Sequence, residues 1–247
     1  MNIIRAMGQI ARSRDIGGAI KFQFRHLESF LHPGFLDTCL PESSNRHTKR
    51  FIETRLRYED YERMVEECRE QNLAAVATPF DEASVDWCES LELPVIKIGS
   101  CSASDWPLLR RVAQANRPVV CSTAGASLKQ IDDVVNFFRQ QGIPLAIMHC
   151  KGIYPAPLEN LQLHQVSKLR ERYPDLVVGY SGHEGATDLD VVALAVASGA
   201  ALLERHVGLP TDTISLNGYS LAPTDAEVWV DRALKAHLVV NAGREGA

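Results

Sequence analysis

Pro118-Val-Val-Cys-Ser-Thr-Ala-Gly-Ala-Ser-Leu-Lys-Gln-Ile131 is the stretch on which the fold turns. Its first six residues are a short apolar run closing on two hydroxyls, which reads as a buried strand. Ser127 and Gln130 then stand three apart, a capping-box pattern that opens a helix. Ile131, Val134, Val135 and Phe138 follow at helical spacing and give that helix one apolar face.

The same strand-then-helix unit recurs along the chain. Apolar runs at Ala19–Phe24, Leu73–Phe80, Pro94–Ser100, Pro144–Cys150, Leu176–Tyr180 and Ala201–Glu204 read as further strands. Helical spacing marks 3–11, 58–71, 106–115, 161–172, 189–198 and 225–240. Between Phe24 and Tyr58 lies a loop of about thirty residues, with Pro33, Gly34, Pro41 and Ser43-Ser44-Asn45, and loops that long are usually functional or mobile.

Seven strands joined by helices, with no linker between them, predict one α/β domain over residues 1–247. The series builds a parallel sheet covered by helices. The pattern predicts a TIM (β/α)8-type barrel one strand short and opening on a helix, so that either the first strand is missing from this chain or the barrel is open. That start invites three explanations: a truncated beginning, a piece of a larger protein, or a strand supplied by a partner.

Composition narrows the function. Hydrophobic residues make up 45% of the 247 and charged residues 23%, so a sizeable core is available. A net charge of −5 argues against a general nucleic-acid partner, because such domains carry a basic face. No apolar run approaches the roughly 20 residues that a bilayer crossing needs, and the first residues lack a signal-peptide layout. Six cysteines without a CxxC pair fit reduced thiols and a cytoplasmic protein.

In such barrels the active site forms at the C-terminal ends of the strands. Those ends carry Lys21 and Gln23, Thr78 and Asp81, Lys97 and Ser100, Ser122 and Thr123, His149 and Lys151, Ser181 and His183, and Glu204 and His206. Lysines and hydroxyls on one rim predict a small anion such as phosphate. Lys21 and Lys97 sit within strand-like runs, where an inward lysine needs a partner. Ser100, Ser122 and Ser181 could equally cap the helices that follow, and His149 reads as a hydrogen-bonded core histidine. His183 and His206 end consecutive strands and form the best metal-ligand pair. Two imidazoles with oxygen donors suit manganese, iron, cobalt or zinc.

Lys21-Phe-Gln23, Thr78-Pro-Phe-Asp81, Lys97-Ile-Gly-Ser100, Cys121-Ser-Thr123, Ile153-Tyr-Pro-Ala-Pro157, Gly179-Tyr-Ser-Gly-His183, Glu204-Arg-His206 and Ser220-Leu-Ala-Pro223 occur in one order. Together they resemble the sialic acid synthases and their legionaminic and pseudaminic acid relatives. The resemblance implies a (β/α)8 barrel that condenses phosphoenolpyruvate with an open-chain amino sugar, assisted by a divalent metal such as manganese. It assigns Lys21, Lys97, Ser100, Ser122 and Ser181 to phosphoenolpyruvate, and His183 and His206 to the metal. Gln23, Thr78 and His149 complete the rim, and a homodimer or a larger assembly is the expected setting.

The departures are as specific. The family's first strand, with its glutamate, has no counterpart, and Cys101-Ser102 stand where Gly-Glu is usual. Gly182 replaces an aspartate, Leu216-Asn217 replace Asp-His, and Gly152 aligns with an asparagine. The C-terminal antifreeze-like domain is absent. Glu184 and Glu204 are then the candidate replacement carboxylates, although Glu204 could equally serve as partner to a rim lysine. Two other functions remain open: a Schiff-base aldolase using Lys97 or Lys21, and a non-catalytic phosphate-binding or assembly module.

Overall fold

The computed structural model describes residues 1–36, 46–211 and 215–242. They fall into two compact units, one of residues 3–98 and 104–118, the other of residues 99–103 and 119 onwards.

The first unit runs α1 (Asn2–Ser13), β1 (Ala19–Phe24), α2 (Leu27–Phe30), α3 (Arg46–Glu53), α4 (Tyr58–Glu70), β2 (Ala74–Pro79), α5 (Glu82–Ser90), β3 (Val95–Ile98) and α6 (Trp106–Gln114). β1 pairs in parallel with β2, and β2 with β3. In that register Lys21 stands opposite Val76 and Gln23 opposite Thr78. α4 and α5 pack on β2, and Val65, Cys68, Ala77, Val85, Cys88 and Ile96 form a dry core.

The long loop expected after β1 is in part helical. α2, a 3-10 turn at Pro33–Phe35 and α3 interrupt it, while Pro41 and Ser43-Ser44-Asn45 lie outside the described residues. α2, with four residues, is too short to display a helical period. α5 begins at what the sequence shows only as a polar strand end. Asp81 is its N-cap: Oδ1 accepts from the Ser84 amide at 2.8 Å, and Oδ2 accepts from the His26 amide at 3.0 Å. This carboxylate on the rim is therefore occupied in joining α2 to α5.

The second unit continues β4 (Val119–Ser122), α7 (Leu128–Gln140), β5 (Leu145–Cys150), α8 (His164–Arg172), β6 (Val177–Gly182), α9 (Val191–Ala197), β7 (Leu202–Arg205) and α10 (Pro223–Asn241). The four strands pair in parallel in chain order. The expected capping box is present: Ser127 Oγ accepts from the Gln130 amide at 3.3 Å, and Gln130 Oε1 from the Ser127 amide at 2.9 Å. Phe138, Ile147, Met148, Val166 and Val192 are buried, and α10 packs against α9 through Val192, Val196 and Ala233. β6 approaches β7 so closely that a Cβ at Gly179 would lie 2.5 Å from the Leu202 carbonyl oxygen, which requires glycine there. Among the described residues, no helix is long and apolar enough to cross a membrane.

Candidate active site

Register decides which side chains meet at the ends of β6 and β7. Ser181 pairs with Glu204 and Gly182 with Arg205, so His183 and His206 both stand one step further on. Side chains alternate faces along a strand, which directs Ser181 and Glu204 to one face and Arg205 to the other. The contacts agree. Ser181 Oγ donates to Glu204 Oε1 at 2.8 Å, and the rings of His183 and His206 lie 5.3 Å apart.

The His183 ring is fixed by its other partner. Its Nδ1 lies 2.6 Å from the carbonyl oxygen of Lys151. A carbonyl only accepts, so Nδ1 carries the hydrogen, and in the neutral ring the lone pair is then on Nε2. Tyr154 packs at 4.3 Å from His183, and Tyr219 at 5.2 Å from both His206 and Tyr154. Two imidazoles thus sit within a cluster of four rings. His183 is buried, His206 half-buried and Tyr154 exposed.

The carboxylate after His183 does not join them. Glu184 is fully buried, and its Oε1 lies 3.0 Å from Nη1 of the equally buried Arg205. Tyr180 donates to Oε2 at 2.8 Å, and burial beside this carboxylate pushes the phenol pKa up. Arg205 Nη2 donates to the carbonyls of Glu184 and Gly185 at 2.8 and 2.9 Å. The sequence expectation that Glu184 is catalytic therefore meets a carboxylate already engaged in an ion pair, because the chain turns back after β6 and carries residue 184 under the strand end.

That turn also accounts for Gly182. A Cβ at this position would lie 2.7 Å from Glu184 Oε2 and 2.8 Å from Oε1, so the carboxylate occupies the space a side chain would need. Gly182→Ala is expected to reduce stability by about 1–3 kcal/mol through overpacking. The check is the urea midpoint, and midpoints equal to those of the wild type contradict this packing.

His149 is turned to the core, as one reading of the sequence had it. Its Nε2 lies 2.7 Å from the Leu161 carbonyl oxygen, and its ring stacks on Tyr180. Burial holds its pKa below the usual value, so the folded protein keeps the ring neutral where the unfolded chain takes up a proton. Its stabilising contribution is complete above the unfolded value of about 6.5, and is lost as pH falls from there toward the lower folded value. In His149→Asn the loss of urea midpoint between about pH 7.5 and about pH 5.5 is expected to shrink; an unchanged loss contradicts the assignment.

The first unit places the other rim residues. Lys97 is buried on β3 and Lys21 half-buried on β1. Gln23 is exposed, its side-chain oxygen accepting from Arg25 Nη2 at 3.0 Å. Thr78 is buried, and its hydroxyl has no hydrogen-bond partner among the described residues. In the second unit Ser122 is buried on β4, and Ser100 opens a 3-10 turn.

The NeuB family model matches residues 13–242. The chain belongs to the NeuB family. An N-acetylneuraminate-9-phosphate synthase of Drosophila melanogaster is 36% identical over 152 residues, 61% of this chain and 40% of that protein. The spore coat polysaccharide biosynthesis protein SpsE of Bacillus subtilis is 31% identical over 182 residues, 73% of this chain and 48% of its own. The chain thus spans less than half the length of either relative. A crystal structure from Chromobacterium violaceum, described as a candidate spore coat polysaccharide biosynthesis protein E, matches with a TM-score of 0.93 and 40% identity, over 99% of this chain and 71% of that one. The alternation of parallel strands and helices is of the (β/α)8-barrel type, with seven strands among the described residues.

Within this NeuB chain, reasoning from sequence missed Arg205 and Tyr180 as members of the site. The signal for Arg205 was available, since a cation inside a buried strand needs a partner, as was argued for Lys97. Tyr154 and Tyr219 lie in loops, where spacing carries no information about ring contacts.

Proposed function

We propose that this chain is the barrel portion of a phosphoenolpyruvate-dependent synthase that joins phosphoenolpyruvate to an open-chain amino sugar. The observation that carries the reading is the pair of imidazoles, 5.3 Å apart beside the Ser181–Glu204 contact, in a NeuB chain. The synthase name of the Drosophila relative supports the same class of reaction. The enol carbon adds to the aldehyde carbon, water adds to the resulting oxocarbenium carbon, and phosphate leaves.

Lys21 and Lys97 supply positive charge for the phosphate and carboxylate, and Ser100 and Ser122 supply hydroxyl donors. His183 and His206 hold a divalent ion, manganese by preference, through their ring nitrogens. Among the described residues no group of three or more His, Cys, Asp or Glu that could hold a metal ion comes together, so the two imidazoles are the donors this chain would offer one. When bound, the ion supplies Lewis-acid polarisation of the sugar aldehyde.

Ser181 has one proton and gives it to Glu204. To hold a phosphate oxygen, the hydroxyl turns that proton away from Glu204. Glu204, the carboxylate that Ser181 touches, is the group we assign to proton handling. Glu184 stays with Arg205.

Calorimetric titration with phosphoenolpyruvate in the presence of Mn2+ tests this reading. Saturable binding that is lost in Lys97→Ala is expected. A folded protein that shows none excludes it, and binding without turnover of any amino sugar points instead to a ligand-binding module.

A further inference from the structure

We propose that the buried Glu184–Arg205 ion pair is a positioning device that sets the separation and orientation of His183 and His206. The inference rests on the proposed role of these two histidines and deepens it.

The chain itself suggests the coupling. Glu184 directly follows His183, and Arg205 directly precedes His206. A contact between 184 and 205 therefore ties the two histidine positions across the strand ends. The contact is made by more than one bond. Arg205 Nη2 holds the carbonyls of Glu184 and Gly185, while Nη1 lies 3.0 Å from Glu184 Oε1, out of line for a hydrogen bond, so that part is ionic. The guanidinium thus grips both the side chain and the backbone of the residue after His183. Tyr180 takes the other carboxylate oxygen, and Glu184 is folded against the glycine preceding His183. His183 is held between these points and by the Lys151 carbonyl. On the other side, Arg205 is itself the last residue of β7, and the His206 carbonyl accepts from the Leu221 amide at 2.9 Å.

Stability alone gives little reason for this arrangement. A buried ion pair is commonly no better for folding than well-packed apolar residues of the same volume, but its geometry is directional. A planar fork that meets two carbonyls and a carboxylate admits one orientation of the loop, whereas an apolar pair would let it slide.

The test compares wild type with Glu184→Gln/Arg205→Met, which removes both charges together, and with Arg205→Lys, which keeps the charge but loses the fork. Folding of each is confirmed by cooperative unfolding. The first readout is Mn2+ affinity without substrates, expected to fall about 10–100-fold in the double variant, as when an outer-shell partner of a ligand is lost. A smaller fall is expected in Arg205→Lys. The second readout is the imidazole carbon–proton signals of the metal-free protein, assigned with His183→Gln and His206→Gln. The signals of His183 and His206 are expected to shift or broaden in both variants, while that of His237, beside Asn241 on α10, stays in place.

If wild type fails to bind Mn2+, the metal reading fails, and the positioning role is decided by the imidazole signals alone. Variants that fold, bind Mn2+ like wild type and keep both imidazole signals unchanged overturn the proposal. If the double variant does not fold, Arg205→Lys decides by the same two readouts.

Discussion

Glu184→Ala is expected to destabilise the protein by about 3–5 kcal/mol, the range for breaking a buried ion pair from one side. The size follows from what stays behind. Arg205 has a side chain 2% exposed, and burial lowers its pKa, but a guanidinium does not lose its proton within a protein. The charge would therefore remain, with the two backbone carbonyls it already holds and the field of Asp188 as compensation. Tyr180 would also lose its acceptor in a buried place. Removing both partners is a different experiment. In Glu184→Gln/Arg205→Met no charge is left unpaired, and most of the lost stability is expected to return. Urea midpoints at unchanged m-value measure both changes. A single variant that loses less than about 1 kcal/mol would place the pair among weak surface contacts, contrary to its burial.

His206→Ala is expected to remove activity while leaving the fold nearly intact. The ring is half-buried and packs at 5.2 Å from Tyr219, so its loss opens space toward the surface instead of a closed cavity. In the proposed reaction its role is larger. With His183 it makes up the two imidazole donors of the cluster, and one alone is a poor site for a divalent ion. Polarising a carbonyl contributes several kcal/mol to such a reaction, which corresponds to a fall in kcat/KM of about 100–1000-fold. Steady-state phosphate release measures it, with urea midpoints as the folding control. A fall below about fivefold in kcat/KM, well under 1.4 kcal/mol, would separate His206 from the chemistry.

Much of the fold is legible in the sequence because its elements are regular and repeat. The apolar run ending in Ser122 and the capping box at Ser127 and Gln130 stand where the amino acids place them. The pairing of His183 with His206 was also legible, since both end neighbouring parallel strands. The two carboxylates are instructive. Glu184 and Glu204 look alike in sequence, each a carboxylate near a histidine, and the two resolve differently. Glu204 lies within β7, where alternation points it toward Ser181. Glu184 lies beyond β6, where the period-two rule no longer applies and the chain turns back under Gly182. Gly182 and Glu184 are one feature: a side chain at 182 and the carboxylate of 184 would fill the same space. The helices hidden between Phe24 and Tyr58 escaped for another reason, because they are only four and eight residues long, too short for a helical spacing to stand out.

The proposed reaction consumes phosphoenolpyruvate and releases phosphate. The most direct measurement is release of inorganic phosphate from phosphoenolpyruvate with Mn2+ and a panel of 2-acetamido-2-deoxyhexoses. Release that requires both the sugar and the metal, and is lost in His183→Ala, is the predicted result. No release above background from a folded protein that binds phosphoenolpyruvate would contradict it.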